Sequence, residues 1–111
     1  MNEENNTHIQ EDGLYLKGVV ISTRAHAFES KRDQRIQVVV NVELSCGNDI
    51  VTWSRYVDPQ DDEGIRMEGR NVVGYPAPEK LSTVTLKVLR TRSFNNRLSV
   101  TSAELLETSA A

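Results

Sequence analysis

The chain holds one cysteine, Cys46, among 111 residues. A lone thiol excludes an internal disulfide framework and any cysteine-rich zinc site. It also suits a reducing compartment, so a cytoplasmic location is expected. Histidine is nearly as scarce. His8 and His26 stand apart, and neither has a Cys or His at metal-ligand spacing. No metal or other cofactor is expected. Long hydrophobic runs are missing as well. The longest, such as Val38–Val40, are far too short for a transmembrane helix. Met1–Asp12 has no apolar core of the signal-peptide kind. No sustained helix-period segment, internal repeat or low-complexity tract occurs. Catalytic signatures are absent too. Cys46 lies in a turn with no nucleophile motif around it. Gly64–Asn71 has the glycine spacing of a phosphate-binding loop, but Arg70 and Asn71 stand where Lys and Ser/Thr are required. The acidic run Asp58, Asp61, Asp62, Glu63 lacks the alternating ligands of a calcium loop. The chain is not expected to be an enzyme.

What is present suits one globular domain. Hydrophobic residues make up 38% and charged residues 26%, enough for a single modest core. The formal net charge of −3 hides an uneven distribution. Residues 1–12 carry Glu3, Glu4, Glu11 and Asp12 without a base, and residues 103–111 carry Glu104 and Glu107 without a base. The remaining body holds 13 Lys and Arg against ten acids, a net of +3. A basic body raises the prospect of nucleic acid only where its cations cluster.

The hydrophobic pattern is that of strands. Leu14–Thr23 is rich in β-branched residues, with Gly18 marking a bulge or bend. Arg24–Gln34 is polar and predicts a loop. Over Arg35–Ser45, Ile36, Val38, Val40, Val42 and Leu44 alternate against polar residues, broken only by Val39. Cys46–Asp49 predicts a hairpin turn, and Ile50–Val57 the returning strand. A two- or four-residue turn here buries Val51, Trp53 and Val57. A three-residue turn buries Ile50, Thr52 and Tyr56 instead and exposes Trp53. The first register buries more apolar surface and leaves Tyr56 facing out beside Val39, Asn41 and Ser54. Asp58–Lys80 is irregular and holds all three prolines. Its acids suit the first turn of a short helix over Asp61–Met67, against which Gly64 weighs. Leu81–Leu89 and Leu98–Leu105 form a second hairpin around Asn95-Asn96. An odd-length loop or a bulge near its tip would bring Leu98 and Val100 to the face of Val84, Leu86 and Val88.

Five strands in this order suit an all-β fold: a five-stranded antiparallel Greek-key barrel of the OB type over residues 13–106, with a short helix between the third and fourth strands. A small sandwich or an SH3-like barrel is the alternative. Residues 1–12 then form a flexible acidic tail and 107–111 a short C-terminal one.

Basic residues interleave with aromatics twice. Arg24, His26, Phe28, Lys31, Arg32 and Arg35 stand between the first two strands, and Arg90, Arg92, Phe94 and Arg97 at the last hairpin. No acid occurs between Lys80 and Ala103. Trp53, Arg55 and Tyr56 lie on the intervening hairpin. In an OB barrel the face of strands two and three and the loops flanking it form the ligand surface. Single-stranded nucleic acid needs this mixture, cations for the phosphates and aromatic faces for the bases. Against it, Phe28 and Phe94 could equally plug the barrel ends, and a tryptophan is more often core.

LYLKGVVIST, RIQVVVNVELSCGNDIVTWSRYV and TLKVLRTRSFNNRLSVTSAELLE together resemble the OB-fold single-stranded DNA-binding proteins, especially the short phage and mobile-element kind. The resemblance covers about residues 14–106 and is one of pattern. It implies a non-catalytic protein of DNA replication or a related process that coats single strands with little sequence preference, as a homodimer or larger homo-oligomer. RNA is the other strand such a surface could take. Arg24, Phe28, Lys31, Arg32, Arg35, Arg55, Tyr56, Arg90, Arg92, Phe94 and Arg97 would carry the binding, with Trp53 in reserve. The competing expectation is a β-barrel interaction module whose basic loops meet an acidic protein.

Overall fold

A computed structural model of the chain describes residues 7–10, 13–61 and 64–110, with the backbone alone for 7–10 and Phe94. Among the described residues there are eight strands: β1 (Thr7–Gln10), β2 (Gly13–Glu29), β3 (Ile36–Cys46), β4 (Asp49–Val57), β5 (Arg66–Glu68), β6 (Asn71–Gly74), β7 (Thr83–Phe94) and β8 (Arg97–Ser109). The fold is all-β. Among the described residues there is no helix, and so none long and apolar enough to cross a membrane.

Five strands close a ring in the order β2-β3-β4-β8-β7, with β7 returning to β2. The ring closes because β2 is long enough to serve two partners. Its first half pairs with β7 from Leu14 to Val19, and its second with β3 from Val19 to Glu29. The switch falls where sequence predicts a bend, but Gly18 is not the bulge. The extra residue is Ile21, between Val20 and Ser22. Gly18 is instead a point of close approach. A Cβ there would lie 2.7 Å from the Cys46 Sγ and 3.0 Å from the Leu44 Cβ. One ring contact is parallel rather than antiparallel: β4 meets β8 only at Thr52–Ser99 and Trp53–Val100.

The alternation in β3 points its even-numbered valines and Leu44 inward. Val38, Val40, Val42 and Leu44 are at most 1% exposed, as are Val84 and Leu86 across the ring. Val88 packs on this core from its margin, and Ile36 is half-buried. The β3–β4 turn has two residues, Gly47-Asn48, with Gly47 at φ 67°. That length sets the register that buries Val51 and Trp53 and turns Tyr56 outward.

Three departures from the sequence expectation concern the connections. First, β2 continues through Arg24–Glu29, so the expected long loop shrinks to the turn Ser30–Arg35. Its outward residues are Arg24, His26 and Phe28, while its inward ones are Ala25 and Ala27, too small to signal a strand. Second, the expected helix is a hairpin. β5 and β6 flank Gly69-Arg70, and Gly69 adopts φ 63°, a turn conformation. Ile65, Met67, Val72, Tyr75 and Ala77 of this connection pack against the core. Third, the β7–β8 turn is a strict two-residue Asn95-Asn96 turn with φ 52° and 62°, the mirror-image type a hairpin prefers. The expected bulge is present but displaced from the tip. Leu89, Thr101 and Leu106 are the extra residues, and Val100 reaches the core at 1% exposure, whereas Leu98, expected beside it, stays 43% exposed.

At the termini, Thr7–Gln10 pairs with Gly13–Leu16, and the rest of the expected N-terminal tail lies outside the described residues. β8 runs to Ser109, paired with Thr83, so residues 107–109 belong to the sheet rather than to a tail.

Candidate functional site

The outer face of β2, β3 and β4 is a grid set by register. Its rows across the three strands are Ser22–Glu43–Thr52, Arg24–Asn41–Ser54 and His26–Val39–Tyr56, with Phe28 opposite Gln37 at the end. Most polar members are already bonded within the grid. The Ser22 hydroxyl donates to Glu43 at 2.9 Å, the Ser54 hydroxyl to the Asn41 Oδ1 at 2.7 Å, and the Gln37 amide to Asp58 at 3.2 Å. Phe28 and Tyr56 meet edge to face, with centroids 6.2 Å apart and planes at 88°. Val39 lies between His26 and Tyr56 in register and is only 6% exposed, which explains its apparent break in the alternation. Tyr56 keeps 60% of its surface and Phe28 37%. An aromatic pair with a free face therefore stands on an otherwise polar sheet.

The cations fall into three groups. Arg24 on β2, with Lys31 and Arg32 in the β2–β3 turn, is exposed and has no acidic partner among the described residues. Arg90, Arg92 and Arg97 are likewise exposed and unpaired. Arg35 and Arg55 are engaged in the structure itself. Arg35 forms an ion pair with Asp58 at 2.5 Å and reaches Gln60 at 3.4 Å. The Asp58 carboxyl is held below the ordinary carboxylate range by the backbone N–H of Gln60, then by the Gln37 amide and Arg35, against a raising effect of burial. Arg55 pairs with Val40, an inward register position, and its guanidinium carbon sits 5.5 Å from the Trp53 ring centroid. It does not share the outer face with Tyr56.

Trp53 leaves the list of stacking candidates. At 2% exposure it is core, and no base can reach its face. Its indole N–H is buried without a partner among the described residues. The Phe94 side chain lies outside the described part of the structure.

The two basic clusters do not come together as sequence suggested. The β2–β3 turn leads into Ile36, at the end of β3 that faces Val57. The β7–β8 turn lies instead beside the β3–β4 turn, where Asn48, Asp49 and Ile50 share a cavity with Asn96, Arg97 and Leu98. The 11 residues of β3 separate the ends, about 35 Å for extended backbone. The two turns thus lie at opposite ends of the grid, while Arg24, opposite Asn41, and Arg90, opposite Ser102, stand away from both.

Sequence reasoning passed over Tyr75, and placed His26 and Asn41 beside the binding candidates without naming them as such. The Tyr75 and Thr23 hydroxyls share a hydrogen bond of 3.0 Å, which brings the β5–β6 connection to the edge of the grid. Only the cross-strand register reveals this neighbourhood; the polar side of the β3 alternation was its sole sequence signal. Comparison with protein-family models, curated proteins and solved structures finds no match to this chain.

Proposed function

We propose that the chain is a non-catalytic OB-type protein of the cytoplasm that coats single-stranded DNA, across the outer face of β2, β3 and β4. The observation that carries this is the exposed Tyr56–Phe28 pair bordered by three cations, Arg24, Lys31 and Arg32, that have no acidic partner among the described residues. Exposed aromatic faces accept bases of any sequence, and unpaired cations hold phosphates. A ring closed through a bent first strand, with its second and third strands carrying the face, supports the OB reading. Arg90, Arg92 and Arg97, on β7 and β8, extend the path of the strand. The homo-oligomer that the resemblance implies belongs to the same proposal.

The test is a fluorescence titration of the full chain with mixed-sequence single-stranded DNA, RNA and duplex DNA over a series of salt concentrations. Single-stranded DNA is expected to bind most tightly. Each phosphate contact contributes a slope of about −0.7 to log K against log salt, so Arg32→Ala should make the slope shallower by about that amount. Failure of every nucleic acid to bind at low salt, with capture by an acidic protein surface instead, would replace this function with that of an interaction module.

A further inference from the structure

Beside the aromatic pair, the edge of β2 borders a notch of about 490 Å³ lined by Thr23, Arg24, Ala25, His26, Asn41 and Tyr75. It lies past Val19, where β2 has left β7, and Tyr75 reaches it through the hydrogen bond to Thr23. Two of its lining side chains are basic and none is acidic. Arg24 and His26 alternate with the inward Ala25, so they share the outer side of β2, about 7 Å apart along the strand. Both are exposed, and neither has an acidic partner among the described residues. Val39 stands opposite His26 on β3, with Tyr56 beyond it on β4. The other charges of this region are engaged or further off. Glu43 accepts from Ser22 and lies four residues along β3 from Val39. Asp58 holds Arg35 and accepts from Gln37, which is opposite Phe28. Toward the turn, Glu29 is opposite Ile36, Lys31 and Arg32 follow, and Asp33 accepts from the Arg35 backbone N–H.

We infer that this notch takes the backbone of the bound strand, with Arg24 and His26 as two neighbouring phosphate contacts, the second made by the protonated imidazole. The inference rests on the proposed nucleic-acid function and goes beyond it, since it adds a binding residue and makes the grip on the strand depend on pH. A guanidinium keeps its charge at any working pH, so Arg24 holds its phosphate throughout. Imidazole is the side chain whose ordinary charge change falls between about pH 5 and 8. Neutral, it has a single N–H to donate and no charge to neutralise a phosphate. Protonated, it donates from both nitrogens, and the charge strengthens each bond to a phosphate oxygen. The strand and the proton then favour each other's binding by the same factor, because coupling between two sites is reciprocal.

The experiment is a titration of the full chain with oligo(dT), whose bases neither gain nor lose a proton in this range, over a salt series at about pH 8 and about pH 5.5. The slope of log K against log salt is expected to be steeper by about 0.7 at the lower pH, the share of one added phosphate contact. His26→Gln keeps a polar side chain without the charge, and should show the shallower slope at both pH values. His26→Lys carries a permanent cation, and should show the steeper slope at both. Equal slopes for the unchanged chain at the two pH values overturn the inference. So does a difference that survives His26→Gln, which would then come from another group such as His8. If oligo(dT) binds with one slope at both pH values, the face keeps its function without this contact. If no strand binds at either pH, both fall.

Discussion

The two faces of β3 are built from one stretch of chain and stabilised in different ways. Its inner face, Val38, Val40, Val42 and Leu44, is sealed by packing, and every one of these side chains is at most 1% exposed. Its outer face is held by directional bonds: Gln37 to Asp58, Asn41 to Ser54, Glu43 to Ser22. Packing has no spare valence, whereas a bonded polar face leaves donors and aromatic surface over. In this molecule the leftover groups are Arg24, the amide of Asn41 and the free side of Tyr56. The inner face should therefore govern stability and the outer face binding, with little exchange between them.

The sharpest way to break that division is Leu44→Ala. Deleting a fully buried leucine should cost about 2–5 kcal/mol in denaturant unfolding. A loss below about 1 kcal/mol would show that the ring interior is loosely packed. Gly18→Ala comes next. Its new methyl would meet Cys46, Leu44 and the Ser45 carbonyl, a case of overpacking that costs about 1–3 kcal/mol. Adding Cys46→Ala should recover part of that loss but not all, since the Ser45 carbonyl and Leu44 remain.

Tyr56→Ala crosses to the outer face. It should weaken single-strand binding by about 1–3 kcal/mol per stacked base and leave the salt slope nearly unchanged. Its effect on unfolding should stay well below that of Leu44→Ala, because the ring is 60% exposed. A large stability loss would mean that Tyr56 serves chiefly to cover Val39. The smallest effect concerns the outer end of the face. The Asp58 pKa is lowered in the folded chain, so its ionised form favours folding above the unfolded-state value of about 3.9. That contribution is lost as pH falls from there through the folded-state value. Asp58→Asn should flatten this acid limb of the stability curve. The change should be slight, because its Arg35 partner is 48% exposed and screened by water.

Some of this was legible in advance for a local reason. The period-2 pattern of Arg35–Ser45 named the buried valines, and the length of the Gly47-Asn48 turn decided between burying and exposing Trp53. Other features were hidden for equally definite reasons. Arg24–Glu29 looks like a loop because the strand's inward residues are alanines. The β5–β6 hairpin is only seven or so residues of pattern around one glycine, and the acids before it suit a helix turn as well. Arg35 reads as a free cation until the chain returns at Asp58 to neutralise it.

The sequence by itself determined that this is an all-β chain, which side of β3 faces the core, and that cations and aromatics collect in the same stretches of chain. Alternation and turn length suffice for these, because each depends only on neighbours along the chain. The tertiary structure alone decided which cations lack an acidic partner among the described residues, that the β2–β3 and β7–β8 turns lie at opposite ends of the grid, and that Arg24, Asn41 and Tyr75 border one notch. Those facts depend on register between strands and on which edge β2 shares with β7, and side chains brought together from 17 to 52 residues apart leave no periodic trace in the chain.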